Sequence, residues 1–151
     1  MEIERKWLVD KKELDNLIKF SHYQERIAQY YLNGPDDEWV IRLRKANSHH
    51  FLTLKNKGLL SREEIEVKIS KQTFNDHIAL AKTKILKTRY SVEINPDILG
   101  YYEIDVYDDY DFATCEVEFE TEQEAHNFVA PEWCIVDVTN DPKYKNVNLA
   151  K

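Results

Sequence analysis

Charged residues recur at alternate positions along this sequence, in pairs that suit phosphate or metal binding. The doublet Arg42-x-Arg44 places two guanidinium groups on one side of an extended chain, and Glu116-x-Glu118 does the same for two carboxylates. Guanidinium groups bind phosphate oxygens through paired hydrogen bonds. Carboxylates bind hard cations such as Mg²⁺ or Mn²⁺. No glycine-rich phosphate loop is present, so a phosphate site here must be built from side chains.

Alternate residues of a strand point to the same side, so most of these charged residues fall on one face of the predicted strands, called the charged face below. It contains Glu2, Glu4, Glu64, Glu66, Glu103, Asp105, Glu116 and Glu118 as acids, with Lys6, Arg42, Arg44, Lys55, Arg62, Lys87 and Arg89 as bases. One interpretation is a solvated sheet face of mixed charge, which is common in antiparallel sheets. The other is a closed barrel whose charged lumen would suit a polyanion with divalent cations. The apolar opposite face needs covering by helices, which favours the barrel.

The composition limits the classes of protein to which the chain could belong. With 151 residues, 42% of them hydrophobic and 32% charged, we expect one folded domain over residues 1–151. The net charge of −7 argues against nonspecific binding to nucleic acid or to an anionic membrane, so we expect neither partner. No apolar run is long enough to span a membrane. Cys115 and Cys134 lack metal-ligand spacing, and a reducing cytoplasm is the expected location.

The periodicity predicts an α+β chain dominated by antiparallel strands. Eight strands are expected over about residues 2–9, 26–32, 39–45, 50–55, 62–69, 85–94, 100–107 and 114–120. Helices are expected from Asp10, over about residues 71–82, and after the capping box Thr121-x-x-Glu124 to about residue 129. A short helix is expected after Pro142.

The N-terminal stretch Glu2-Ile3-Glu4-Arg5-Lys6 resembles the Glu-x-Glu-x-Lys signature of the CYTH domain, the triphosphate tunnel metalloenzymes. Later segments resemble further elements of that family in the same order: 29–32, 40–44, 52–55, 62–66, 87–90, 103–105, 116–118 and 138–144. The resemblance covers almost the whole chain. It implies an eight-stranded antiparallel closed β-barrel, or tunnel, with helices packed outside, which binds a small-molecule triphosphate and a divalent metal.

The resemblance also implies roles for the charged face. The metal ligands, for Mg²⁺ or Mn²⁺, would be Glu2, Glu4, Asp105, Glu116 and Glu118. The phosphate ligands would be Lys6, Arg42, Arg44, Lys55, Arg62, Lys87 and Arg89. Glu64 and Glu66 are the candidates for positioning the attacking water, although a structural pairing with Arg62 is an alternative. Lys6 would contact either phosphate or a carboxylate and is a third catalytic candidate.

The leading hypothesis is a metal-dependent triphosphatase that acts on inorganic tripolyphosphate, because nothing in this short chain resembles an insert for recognising a base or thiamine. A class IV adenylate cyclase or a thiamine triphosphatase on the same fold remains an alternative. So does a noncatalytic module that binds polyphosphate or nucleotide, although binding alone would not need so many acids. The sequence leaves a homodimer open.

Overall fold

The computed structural model describes residues 1–95 and 98–151, with the side chains of residues 98 and 99 left undescribed. The strands are β1 (Glu2–Val9), β2 (Tyr23–Tyr31), β3 (Trp39–Ala46), β4 (His49–Asn56), β5 (Ser61–Arg62), β6 (Glu64–Ile69), β7 (Thr83–Asn95), β8 (Ile98–Tyr107), β9 (Ala113–Glu118) and β10 (Cys134–Asp137). The helices are α1 (Lys11–Lys19), α2 (Lys71–His77), α3 (Glu122–Asn127) and α4 (Asn146–Leu149), with 3₁₀ turns at Ile78–Leu80 and Pro142–Tyr144. None of the helices described is long and apolar enough to cross a membrane.

The strands form one antiparallel sheet that curls into a nearly closed barrel. Nine of them follow the hydrogen-bonded order β10-β1-β9-β8-β7-β2-β3-β4-β6. The short β5 links the two sides of the opening over two residue pairs, because Glu2 of β1 pairs with Arg62 and Ile3 pairs with Ser61. The prediction of an antiparallel barrel is therefore confirmed.

The count of eight strands needs correction, and the difference lies at the seam of the barrel. The strand expected over residues 62–69 is two strands, since β5 pairs with β1 whereas β6 pairs with β4. The additional β10 pairs with the second half of β1 and was not predicted. It has four residues, and Ile135 and Val136 at its centre are exposed, so it lacks the alternation that reveals longer strands.

The outer face of the barrel over β1, β8 and β9 is apolar and packs against α1. Trp7, Ile104 and Cys115 are buried there, and Leu14 and Leu17 of α1 pack against them. Apolar burial of this kind is the main stabilising contribution to a fold. The predicted arrangement, with helices outside and charge inside, is confirmed.

The helix termini follow their capping residues. Asp10 accepts a hydrogen bond from the backbone N–H of Lys12 at the start of α1, and Thr121 and Glu124 form the expected capping box of α3. The helix expected over residues 71–82 ends earlier, because α2 stops at His77 and continues only as the turn Ile78–Leu80.

Candidate functional site

The barrel encloses a cavity of about 240 Å³ between its charged strand faces. Fourteen of the fifteen charged-face residues line it, and the other, Asp105, lies fully buried behind them. The parity of each strand therefore places these side chains in one lumen. All seven bases are buried or half-buried, whereas Glu66 and Glu118 are exposed, so the buried charges interact more strongly with one another and with any bound anion than they would in bulk water.

Arg42 and Arg44 of β3 lie side by side with few bonds to hold them. The Arg44 guanidinium donates to Glu66 Oε1 at 3.0 Å, whereas Arg42 reaches Thr53 Oγ1 at 3.3 Å and Glu66 Oε2 at 3.5 Å. The Nε–H groups of both arginines are buried without a hydrogen-bond acceptor among the described residues. A buried, unpaired donor costs free energy. This pair of donors is therefore suited to an anion in the cavity.

Lys87 and Arg89 of β7 are held much more tightly. Both donate to Asp105, Lys87 Nζ at 2.7 Å and Arg89 at 2.7 and 2.9 Å, and Arg89 also donates to Glu103 at 2.6 Å. Burial lowers the pKa of the Lys87 ammonium to about 8, although the charge of Asp105 opposes this shift. Asp105 thus anchors the two cations beneath the cavity wall.

A second ion-pair network closes the seam between β1, β4 and β6. Lys55 Nζ lies 3.0 Å from Glu2 and 2.9 Å from Glu64, and Arg62 Nε donates to Glu2 at 2.9 Å. Burial would raise the pKa of Glu2, but the hydrogen bond with Glu64 and the charges of Lys55 and Arg62 lower it to about 2. The pKa of Glu64 is raised by burial and by the same hydrogen bond.

Three carboxylates lie close enough together to share a cation. Glu2, Glu4 and Glu118 each offer one oxygen within 4.8 Å of the others, because Glu4 faces Glu118 across the β1–β9 pair. Burial, then repulsion from Glu116 and Glu2, raises the pKa of Glu4 to about 8, although Lys55 opposes the shift. A divalent cation prefers such oxygen ligands and would compensate their repulsion. The donor set therefore fits Mg²⁺ or Mn²⁺.

The other two predicted metal ligands lie outside this cluster. Both carboxylate oxygens of Asp105 bind Lys87 and Arg89. Glu116 Oε1 lies 3.3 Å from Lys6 Nζ and 3.8 Å from Arg89, and it accepts no hydrogen bond from a described residue. A metal-ligand role for Asp105 and Glu116 stays a prediction.

The C-terminal segment lines part of the lumen, and the sequence patterns did not identify its contribution. Lys6 Nζ donates to the carbonyl oxygen of Tyr144 at 2.8 Å, and the Lys145 ammonium donates to the carbonyl oxygen of Gly58. Lys145 also lines the cavity, as do residues 138–139, 141, 144 and 146–147. Lys145 lies outside the strands, so no alternating pattern in the sequence indicates that its side chain points into the cavity.

Gln29 and Tyr31 of β2 also line the cavity and were missed as site residues. Gln29 is buried and donates through Nε2 to the Tyr31 hydroxyl at 2.8 Å. Their side chains point to the same side of β2, and they pair with Arg44 and Arg42 of β3, respectively. That shared register is the signal that would have included them.

Comparison with known proteins agrees with this geometry. Residues 1–133 match the family model described as the CYTH domain. An inorganic triphosphatase from Nitrosomonas europaea is 36% identical over 152 residues, covering 99% of this chain and 96% of that protein. Another from Acetivibrio thermocellus is 29% identical, covering 99% and 93%. A solved structure named as an inorganic triphosphatase superimposes with a TM-score of 0.66 at 33% identity, covering 99% of this chain and 94% of that one.

Proposed function

Because the chain belongs to the CYTH domain family, we propose that it hydrolyses inorganic tripolyphosphate inside the barrel with the help of Mg²⁺ or Mn²⁺. One observation carries the proposal: two arginines with buried, unpaired Nε–H donors face the same cavity as a cluster of three carboxylates. The first feature suits phosphate oxygens and the second suits a cation. The names of the two similar triphosphatases support tripolyphosphate as the substrate.

The basic residues would bind the substrate in two ways, which differ in how firmly the side chains are held before it arrives. Arg42 and Arg44 have unpaired donors and little to hold them otherwise, so phosphate oxygens would complete their hydrogen bonding. Lys87 and Arg89 are fixed by Asp105 before substrate arrives. A preorganised cation stabilises charge that develops on the leaving phosphate without the cost of reorientation. Lys55, Arg62 and Lys6 would complete the basic lining.

Hydrolysis needs a water whose oxygen bonds to the terminal phosphorus as the bridging P–O bond breaks, which releases phosphate and pyrophosphate. Glu64 is our candidate for accepting the proton of that water, because it lines the cavity and because burial and the hydrogen bond with Glu2 raise its pKa above the ordinary value of a glutamate. Glu66 is instead engaged by Thr53, Arg44 and Arg42, so we assign it the positioning of the two arginines.

Glu2, Glu4 and Glu118 would hold the divalent cation. When bound, the cation supplies charge neutralisation for the phosphate oxygens. We assign the activity to the cytoplasm, because Cys115 and Cys134 are free thiols, which suit a reducing compartment.

The test is to incubate the protein with tripolyphosphate, ATP or thiamine triphosphate in Mg²⁺, Mn²⁺ or EDTA, and to separate the products by ion-exchange chromatography. We expect phosphate and pyrophosphate from tripolyphosphate at the highest kcat/KM of the three substrates, with no turnover in EDTA. A cyclic nucleotide from ATP would contradict hydrolysis in favour of a cyclase. Tight binding of all three substrates without turnover would leave a binding module.

A further inference from the structure

The strand β6 has a free edge. It pairs with β4 on one side, and no strand within residues 1–95 and 98–151 pairs with the other. Free edges present backbone N–H and C=O groups that pair readily with another strand. This edge also carries apolar surface, since Ile65 is 53% exposed and Val67 is 48% exposed. An exposed edge of this kind is a candidate interaction surface.

The sequence of β6 is self-complementary in one antiparallel register. A two-fold axis between antiparallel strands requires one residue to lie opposite its own copy. With Val67 on the axis, Ile65 lies opposite Ile69, and Glu66 lies opposite Lys68 on both sides of it. The outward face of the pair is then wholly apolar, and its inward face carries two opposite-charge pairs. Both arrangements stabilise cross-strand neighbours.

The neighbouring registers lack this match. An axis at Ile65 would place Glu64 opposite Glu66, and an axis at Glu66 would place that carboxylate opposite itself. Like charges directly opposite destabilise a strand pair. Lys68 is exposed and takes part in no salt bridge among the described residues, so it is available to a partner. The charge pattern therefore favours the register that has Val67 on the two-fold axis.

The edge strand β10 provides a useful contrast. It also lies at the end of the sheet, and Ile135 and Val136 are 56% and 47% exposed. However, it contains four residues with an acid and no base, so no register of two copies pairs opposite charges. Exposure alone does not distinguish the two strands, whereas charge complementarity does.

We propose that two copies of this chain associate through antiparallel pairing of their β6 strands about a two-fold axis at Val67. The sheets of the two barrels then become continuous. The interface lies beside the cavity, because Glu66 binds Arg44 and would also face Lys68 of the partner subunit. The dimer is independent of which triphosphate the barrel hydrolyses.

Cysteine cross-linking tests both the interface and its register. In the proposed pair, the two Val67 Cα atoms lie about 4.5–5.5 Å apart, within the range that a disulfide spans. Two Ile65 residues lie four positions apart along the strands, or about 13 Å. We expect Val67→Cys to form a disulfide-linked dimer under mild oxidation, while Ile65→Cys and the wild type do not. Equal cross-linking by both variants, or none by Val67→Cys, would overturn the register.

Association is tested separately by sedimentation of the full chain over a range of concentrations. We expect the wild type to have the mass of a dimer. Val67→Lys should have the mass of a monomer, since it places two ammonium groups opposite each other on the axis. Val136→Lys is the matched control, with similar exposure on β10, and should stay dimeric. A monomeric wild type, or a dimer lost in Val136→Lys and kept in Val67→Lys, would contradict the proposal.

Discussion

The basic residues of the lumen differ in what holds them when no substrate is bound. Arg89 is fixed by three hydrogen bonds to Asp105 and Glu103, so its loss would leave buried carboxylates without compensation. Arg42 makes one long hydrogen bond to Thr53 and one to Glu66, and its Nε–H has no acceptor. Substitution at Arg42 is therefore the cleaner way to separate substrate binding from stability.

Glu4→Gln should stabilise the metal-free protein at alkaline pH. The pKa of Glu4 is raised from 4.5 to about 8 in the folded state, so the folded protein binds more protons than the unfolded chain between these values. The free energy of unfolding therefore falls as pH rises through that window. We expect the variant in EDTA at pH 8 to gain about 1 kcal/mol, or about 2–4 °C in Tm.

The same melting experiment tests the metal site. Mg²⁺ or Mn²⁺ should raise the Tm of the wild type and raise that of Glu4→Gln much less, because binding to the folded state stabilises it. Glu132→Gln, at an exposed acid outside the cavity, is the control and should respond like the wild type. An equal response to the cation in Glu4→Gln would exclude Glu4 as a ligand.

Lys87 should impose an alkaline limit on substrate binding. Burial lowers its pKa to about 8, so above that pH the side chain loses the charge that we propose binds phosphate. We expect KM for tripolyphosphate to rise several-fold between about pH 7.5 and 9.5 in the wild type. Lys87→Arg, which keeps its charge over this range, should show a flatter profile.

Unfolding at alkaline pH would not explain this rise in KM. A lowered lysine pKa means that the unfolded chain binds more protons between about pH 8 and 10.5, so the Lys87 contribution to the free energy of unfolding increases over that window. Denaturant titrations at the same pH values separate the two effects. Parallel KM profiles in wild type and variant would exclude Lys87 as the titrating group.

Elements could be predicted from the sequence where their own residue pattern determines their structure, and not where contacts with distant residues determine it. The long strands that carry the charged face alternate strictly, so their parity predicted the lumen. β10 and the C-terminal segment depend instead on distant partners: Trp7 pairs with Asp137, and Leu149 packs in one cluster with Tyr31 and Tyr107. Site residues on such segments, Lys145 above all, have no local pattern that indicates an inward position.

The C-terminal segment should contribute to both stability and activity. Leu149 is buried against Tyr31, Ile85 and Tyr107, and Leu149→Ala should cost about 2–5 kcal/mol of stability through the lost contacts and the cavity. Since this segment also carries the Tyr144 carbonyl that binds Lys6, we expect kcat/KM for tripolyphosphate to fall as well. Both are measured by denaturant titration and steady-state kinetics.

Thr121→Ala provides the control for a purely structural loss. It removes the capping box of α3, which lies outside the barrel, and should cost about 1 kcal/mol with kcat/KM unchanged. Leu149→Ala that keeps wild-type kcat/KM, at a temperature where it is fully folded, would contradict a role for the segment in the site.

The distribution of charge over the whole molecule explains how an acidic protein can bind a polyanion. The chain has a net charge of −7, yet all seven bases of the charged face line the cavity. The paired acids hold these bases in place, and the three clustered carboxylates add room for a cation. Because these bases are buried or half-buried, they act on a bound ligand at a lower effective dielectric than that of bulk water. The surface charge therefore does not oppose the function that we propose.

Steady-state kinetics of Arg42→Ala with tripolyphosphate tests the central claim most directly. Arg26→Ala is the matched control, since Arg26 lies outside the lumen in an ion pair with Asp108 that is exposed to solvent, and such pairs contribute at most about 1 kcal/mol to stability. If the lumen binds and hydrolyses triphosphate, kcat/KM should fall about 100-fold in Arg42→Ala, which corresponds to about 2.7 kcal/mol of lost transition-state stabilisation. Arg26→Ala should match the wild type, and both variants should keep the wild-type Tm within a few degrees. An unchanged kcat/KM in folded Arg42→Ala would contradict catalysis inside the barrel.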